Sequence, residues 1–335
     1  MVKFDIITIG DSAVDAFIRL KEAELNCDLN REACRICFKF ASKIPYETVT
    51  EVPAGGNSAN VALGTAKLGL RVSYLTNLGQ DDHGQKILNK LQDKNIDTSL
   101  IKIHPDLATN YNYVLWYADD RTILVRHENY PYELPGLPQS DWIYLTSLAE
   151  NSPKIYDPLK RFLQNNPETN LAFSPGTMQI RAGYEALIDF YKRTKVFFAN
   201  KQEVMTILKT NNEKIEVLAT ELKKMGPKIV VITDADNGSF ALDEKNFWHC
   251  PAFFPEEKLI ERTGAGDAFA SAFLVATKEG LPTDQALVWG AINSSSVVKK
   301  IGPHEGLLTK EEIKEYLVQN PKFQANNLTF SEGTF

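Results

Sequence analysis

The feature that most constrains the fold is a repeated change of period along the chain. "DIITIG" is a short apolar run closed by glycine, "NSANVALGTAKLG" has helical spacing up to a glycine stop, and "RVSYLTNLG" is strand-like again. That order is a β-α-β unit. Further on, "WIYLTSL", "NLAFSPG", "KVFFAN" and "KIVVITDAD" read as strands, separated by the helical segments "SPKIYDPLKRFLQN", "YEALIDFYKR" and "KIEVLATELKKMG". Alternation of this kind predicts a doubly wound α/β fold, with a mainly parallel sheet and helices on both faces. At 335 residues and 43% hydrophobic content, the chain can bury that core in one domain spanning 1–335.

Two segments break the alternation. Residues 16–53 form a long polar, cysteine-bearing insertion between the first strand and the first helix. "YNYVLWYADDRTILVRH" alternates like a hairpin turning at Asp119 and Asp120. Both leave the sheet at one edge, so 16–53 and 108–128 are expected to pair into a small β lid over the strand ends, where open α/β sheets bind ligands. Edge strands tend to pair, so the lid is expected to pack on the main domain or to join a second lid in a homodimer. Tyr111, Tyr113 and Trp116 lie in this hairpin, where substrate contact, subunit contact and plain packing are all open. The chain has no internal repeat, and 322–335 reads as a weakly held tail.

Composition narrows the partners. A net charge of −6 and a pI near 5.5 provide no basic field that draws in nucleic acid or an anionic membrane. "MVKFDIITIG" has no charged region ahead of a long apolar stretch, and nowhere do about 18 apolar residues run together. The expectation is a cytoplasmic protein with a small-molecule ligand. Cys27, Cys34 and Cys37 fall within "CDLNREACRIC" and Cys250 is distant, which predicts reduced thiols. The Cys-x-x-Cys pair with its third cysteine leaves zinc open, although no second pair or histidine pair follows at finger-like spacing.

Chemistry concentrates in "RTGAGDAFASAFL", residues 262–274. Glycines before a helix start expose unpaired N–H groups, and the helix dipole adds positive charge there. Gly264, Ala265 and Gly266 fit an oxyanion nest, and Asp267 falls in the first turn beside it. That acid is either a helix-start residue or a general base beside a phosphoryl group. A second glycine pair, Gly55 and Gly56 in "AGGNSANVALGTAKLG", lets a backbone approach a ligand closely, and Asn57 and Asn60 have amides for bonding hydroxyls. Neither a P-loop nor a G-x-G-x-x-G after the first strand is present, which removes P-loop NTPases and Rossmann dinucleotide enzymes.

The two glycine segments, in this order, resemble the two signature regions of the ribokinase-like (PfkB) carbohydrate kinases. "IGDSAVDAF" resembles the first strand of that family, and its sugar-binding acid then falls on Asp15, at the end of that strand. "ANKQEV" resembles the N-x-x-E motif, which implies Asn200 and Glu203 near magnesium and phosphates. "VITDADNG" resembles the nucleotide-binding T-x-G-x-x-G loop through Thr233 and Gly238, with Ala235 where a glycine is usual. The family often has an asparagine facing the nucleotide on a later helix, which falls on Asn293. Lys299, Lys300 and His304 follow that helix, and two lysines at a helix end are usually a solvated, dipole-favoured cap.

The resemblance implies ATP-dependent, Mg²⁺-assisted phosphorylation of a hydroxymethyl group. Asp267 takes the hydroxyl proton, the amides of 264–266 hold the transferring group, and Glu203 meets Mg²⁺ through water. Asp15, Gly55, Gly56, Asn57 and Asn60 form the sugar site, and the lid excludes water. Ribose, fructose, keto-deoxy sugar acids and nucleosides all remain acceptors. A silent sugar- or nucleotide-binding sensor is the alternative of another class, against which the retention of Asp267, Gly264, Gly266, Asn200 and Glu203 argues. Within the glycine segment before Asp267 one position departs from the family: an acid that helps hold a monovalent cation is replaced by Arg262. That implies a cation site left empty, with the guanidinium tying two loops through their carbonyls, or else pointing to solvent while Glu261 supplies the acid.

Overall fold

Strand alternation divides the apolar side chains between two cores. The computed structural model describes residues 3–27, 34–117, 120–253 and 262–328. Ile6 enters one cluster while Ile7 and Ile9 enter the other, and Trp142 and Tyr144 part from Ile143 and Leu145 in the same way. Successive strand residues point to opposite faces, so a run that is apolar at every position requires cover on both. Helices Asn57–Lys67, Ala265–Lys278 and Thr283–Val297 cover one face. Tyr156–Asn165, Tyr184–Arg193 and Ile215–Lys224 cover the other.

Among the described residues the main sheet has nine strands. Val72–Leu75, Phe4–Ile9, Ser140–Leu145, Asn170–Phe173, Thr194–Asn200 and Ile229–Thr233 run parallel in that spatial order. Ser239–Leu242, Phe247–Cys250 and Asn326–Leu328 then continue it antiparallel. The expected doubly wound, mainly parallel architecture is therefore present. The antiparallel extension takes in part of the segment expected as a weakly held tail: Asn326–Leu328 is paired, and the Phe323 ring sits 4.7 Å from that of Phe253.

A separate four-stranded sheet joins the two interrupting segments. Ala13–Leu20 pairs antiparallel with Tyr46–Gly55 and parallel with Tyr111–Tyr117, which pairs antiparallel with Asp120–Leu124. Asp120, expected in the turn, stands opposite Tyr117 within the strand, and Asp119 lies outside the described residues. The first of these strands begins at Ala13, ahead of the expected boundary at 16. Asp15 therefore lies inside it and not at the end of the first strand, because the chain bends at Gly10, where a Cβ would stand 2.8 Å from the Ser58 Cβ. The register puts Asp15, Asn112 and Arg121 on one face, and Ile18, Val49, Tyr113, Leu115 and Leu124 on the other.

The cysteine expectation needs correction. Glu24–Asn26 pairs antiparallel with Arg35–Cys37, so Cys27 and Cys34 come next in register, and they form a disulfide. Cys37 and Cys250 are thiols, and no cluster of three or more metal-ligating side chains occurs among the described residues. Among those residues, no helix is long and apolar enough to cross a membrane.

Candidate active site

Two chambers of about 440 and 510 Å³ meet beyond the carboxyl ends of the parallel strands, and Arg121, Asn200, Thr233, Arg262 and Gly266 line both. Asn200 and Thr233 are each the last residue of a parallel strand, and Asp11 follows the end of Phe4–Ile9. This is where an open α/β sheet offers backbone and side chains to a ligand.

Asp267 lines the second chamber, next to Gly266, which lines both. Gly264 caps the Ala265–Lys278 helix at φ 78°, and a Cβ there would stand 2.2 Å from the Pro303 Cβ, so both conformation and space require glycine. Ala265 N–H is engaged by the Arg262 carbonyl at 3.3 Å, which takes it out of the expected trio of free amides. Gly266 has open space beside its Cα and lines both chambers. The half-buried Asp267 accepts a 2.7 Å hydrogen bond from Asn60 Nδ2. Burial pushes its pKa up to about 7, the Asn60 bond opposes that rise, and the charge of Glu203 adds to it.

The second chamber holds the residues expected around a sugar. Asp15 accepts from Asn112 Nδ2 at 2.9 Å, and Gly55 must lack a side chain because its Cβ would fall 2.2 Å from Asp15 Oδ2. Gly56, at φ 96°, and Asn57 line the chamber directly. Asn60 lines it too. Its amide is held between Asp267 and His304 Nε2, the latter at 2.9 Å. Asp11 joins this chamber unannounced by any motif. Its carboxylate accepts from Tyr132 Oη at 2.6 and 2.7 Å and from Ala149 N–H at 2.8 Å, and burial lifts its pKa to about 6 against those bonds. Arg121 reaches the same space from the four-stranded sheet.

At the first chamber, Asn200 and Glu203 form a reciprocal capping box, with Asn200 Oδ1 accepting from Glu203 N–H and Glu203 Oε2 from Asn200 N–H, both at 2.9 Å. Glu203 also lines the second chamber, and burial raises its pKa. Glu203 thus faces the same chamber as Asp267, and a carboxylate placed there fits a hydrated divalent cation held through water. Thr233 and Gly238 line the first chamber, Gly238 at φ 87°. Ala235 takes φ 43°, so the loop keeps its left-handed turn without the usual glycine.

One expectation fails here. Asn293 is fully buried and lines neither chamber: its amide donates to the Ala268 carbonyl and Ser271 Oγ and accepts from Leu308 N–H. It braces helix against loop, while Ser294, Ser295 and Val298 of the same stretch face the chamber. The Arg262 guanidinium, expected at loop carbonyls or else in solvent, forms an exposed pair with Asp236 at 3.3 Å; Glu261 lies outside the described residues.

The pattern of the pfkB family carbohydrate kinases matches residues 22–310. The chain belongs to this family. Curated relatives of this pfkB-family chain include a 5-dehydro-2-deoxygluconokinase of Listeria monocytogenes, 28% identical over 95% of this chain and 97% of the relative. Another is the 5-dehydro-2-deoxygluconokinase of Shouchella clausii, 25% identical over 93% and 95%. Among solved structures, the nucleoside kinase of Methanocaldococcus jannaschii matches with a TM-score of 0.76 at 19% identity, over 95% of this chain and 100% of that one. Arabidopsis thaliana ribokinase complexed with ribose and ATP matches with a TM-score of 0.76 at 18% identity, over 94% and 99%. These likenesses establish the ribokinase fold.

Proposed function

We propose that the protein transfers the γ-phosphoryl group of ATP to a hydroxymethyl group of a sugar, and that its acceptor is a keto-deoxy sugar acid. The observation that carries the reading is Asp267 in the second chamber, next to Gly266, which lines both chambers, in the first turn of a glycine-capped helix, with a pKa raised to about 7. A base needs a pKa near the working pH and reach to the hydroxyl it deprotonates. The hydroxyl proton passes to Asp267 as its oxygen bonds the γ-phosphorus, and the bond from that phosphorus to the ADP oxygen breaks. Amides at Gly264 and Gly266 meet the charge of the transferring group. Mg²⁺, held through water by Glu203 beside Asn200, neutralises phosphate charge when bound. Thr233 and Gly238 take the nucleotide, and Asp15, Gly56 and Asn57 the sugar.

The acid form of the acceptor is supported by the names of the curated relatives and by Arg121 in the second chamber, a fixed positive charge suited to a carboxylate. ADP release over a panel of keto-deoxy sugar acids, ribose, fructose and nucleosides tests the reading. The highest kcat/KM is expected on an acid; a nucleoside maximum replaces the acceptor class, and no release above background leaves a silent binding protein.

Arg262 leads to a second expectation. At about 4 Å and an effective dielectric near 20, a carboxylate attracts K⁺ by roughly 4 kcal/mol before desolvation, and Arg262, turned to Asp236, supplies no such charge. Replacing K⁺ by tetramethylammonium at constant ionic strength is therefore expected to change kcat/KM by less than about twofold, and a several-fold activation by K⁺ counts against the reading.

The four-stranded sheet acts as a lid, and a second copy of the chain is its partner. The face opposite Asp15 carries Val49, Tyr113 and Leu124, exposed by 46%, 47% and 53%. An apolar sheet face of this kind is a common interaction surface. Light scattering at micromolar concentration is expected to report a dimer, and Val49→Lys with Leu124→Lys to return it to monomer; a wild-type monomer with full activity overturns this.

A further inference from the structure

We propose that His304 is a positioning residue for Asp267, acting through the side-chain amide of Asn60. The proposal rests on the reading of Asp267 as the base. His304 lines neither chamber, so it touches no substrate there. Its Nε2 is 2.9 Å from Asn60 Oδ1, and Asn60 Nδ2 is 2.7 Å from Asp267 Oδ2. The three side chains form one hydrogen-bonded line from the loop after the Thr283–Val297 helix to the cleft.

An amide has two nearly isosteric ends, and what distinguishes them is what they face. An ionised carboxylate only accepts, so the NH₂ end must meet Asp267; a half-turn of the amide sets two oxygens against each other. The NH₂ end stays there only if the oxygen end has a donor, and His304 supplies it when its single proton is on Nε2. The surroundings favour that tautomer. His304 Nδ1 is buried and has no partner of good hydrogen-bond geometry within the described residues, although the nearby Ala54 backbone acts on the ring as a weak hydrogen-bond acceptor. A proton on Nδ1 therefore has at most that weak partner, whereas one on Nε2 has Asn60 Oδ1 at 2.9 Å.

Charge plays no part in this effect. Burial, with Lys90 and Lys94 nearby, holds His304 neutral, with its pKa pushed down to about 3. Glu203 is the charged group that acts on Asp267 from the other side. The loop carrying His304 is also fixed against the glycine cap of the Asp267 helix, since Pro303 occupies the space a Gly264 side chain would need. One loop thus contacts both the start of the helix that carries the base and the amide that orients it.

The unmodified protein gives the first test. Nitrogen-15 NMR of the histidine rings is expected to show His304 neutral between pH 5 and 9 with its proton on Nε2, and an Nδ1–H tautomer overturns the proposal. For the second, His304→Leu is expected to lower kcat about tenfold, the size of one hydrogen bond to a charged group. It should also move the acidic limb of the kcat/KM profile upward, with little change in the KM for ATP. His304→Gln, which keeps a donor, should restore most of the rate. Loss of rate with an unmoved limb, or no rescue by Gln in a variant that melts like the wild type, overturns it. Failure of the base reading is told apart by Asp267→Asn, whose retained activity leaves the His304 tautomer as found.

Discussion

Asp267→Asn is expected to lower kcat by about 10²–10⁴-fold under saturating substrates, the usual cost of losing a general base. ATP and sugar binding should change little, because Asn fills the same space and can still accept from Asn60. The acid dependence of the parent enzyme follows from the same group. Its pKa is raised from 3.8 to about 7, so the ionised, proton-accepting form predominates above that value. Activity is therefore full above about pH 7 and falls tenfold per unit below it. Stability runs the other way. A carboxylate whose folded-state pKa is raised favours the folded state below its unfolded value, and that contribution is lost as pH rises through the folded one. The Asn variant, relieved of a buried charge, should melt no lower than the parent at pH 8. Retention of more than a tenth of the parental kcat refutes the assigned role, and a low melting temperature at pH 8 shows that Asp267 is structural instead.

What could be read before the fold was known follows from how locally each feature is encoded. The parallel strands were legible because burial on both faces writes itself as continuous apolar runs, and "YEALIDFYKR" forms the helix Tyr184–Arg193 over those same residues. The antiparallel strands Ser239–Leu242 and Phe247–Cys250 are four residues each, too short to show a period, and their pairing depends on distant neighbours. Asp267 and Asn200 announced themselves because helix starts have local signatures. Asn293 misled because a buried asparagine bridging helix and loop looks, in sequence, like one that faces a ligand. Asp11, Asn112 and His304 gave no signal: each matters through a partner far along the chain, Tyr132, Asp15 and Asn60 respectively. The Cys27–Cys34 bond had a local cue only in hindsight, since it needed the hairpin register to set the two residues opposite each other.

Asp15→Ala is expected to reduce kcat/KM for the acceptor by about 10- to 10³-fold, mainly by raising the acceptor KM. A carboxylate that accepts from sugar hydroxyls makes charge-assisted hydrogen bonds, each of about 1.5–3 kcal/mol, and its removal also leaves the Asn112 amide without its partner. The effect should stay on the sugar side, since Asp15 lines the second chamber and not the first; ATP affinity by direct titration is expected to stay within about twofold. Gly55→Ala provides the matching steric test. Its added Cβ falls 2.2 Å from Asp15 Oδ2, so the carboxylate must swing away from its Asn112 partner while its charge stays in the chamber. If position as well as charge matters, Gly55→Ala should reproduce most of the acceptor KM increase of Asp15→Ala with the nucleotide site intact. An acceptor KM unchanged within twofold in Asp15→Ala removes Asp15 from the sugar site. A normal KM in Gly55→Ala alone shows instead that the carboxylate binds sugar from more than one placement.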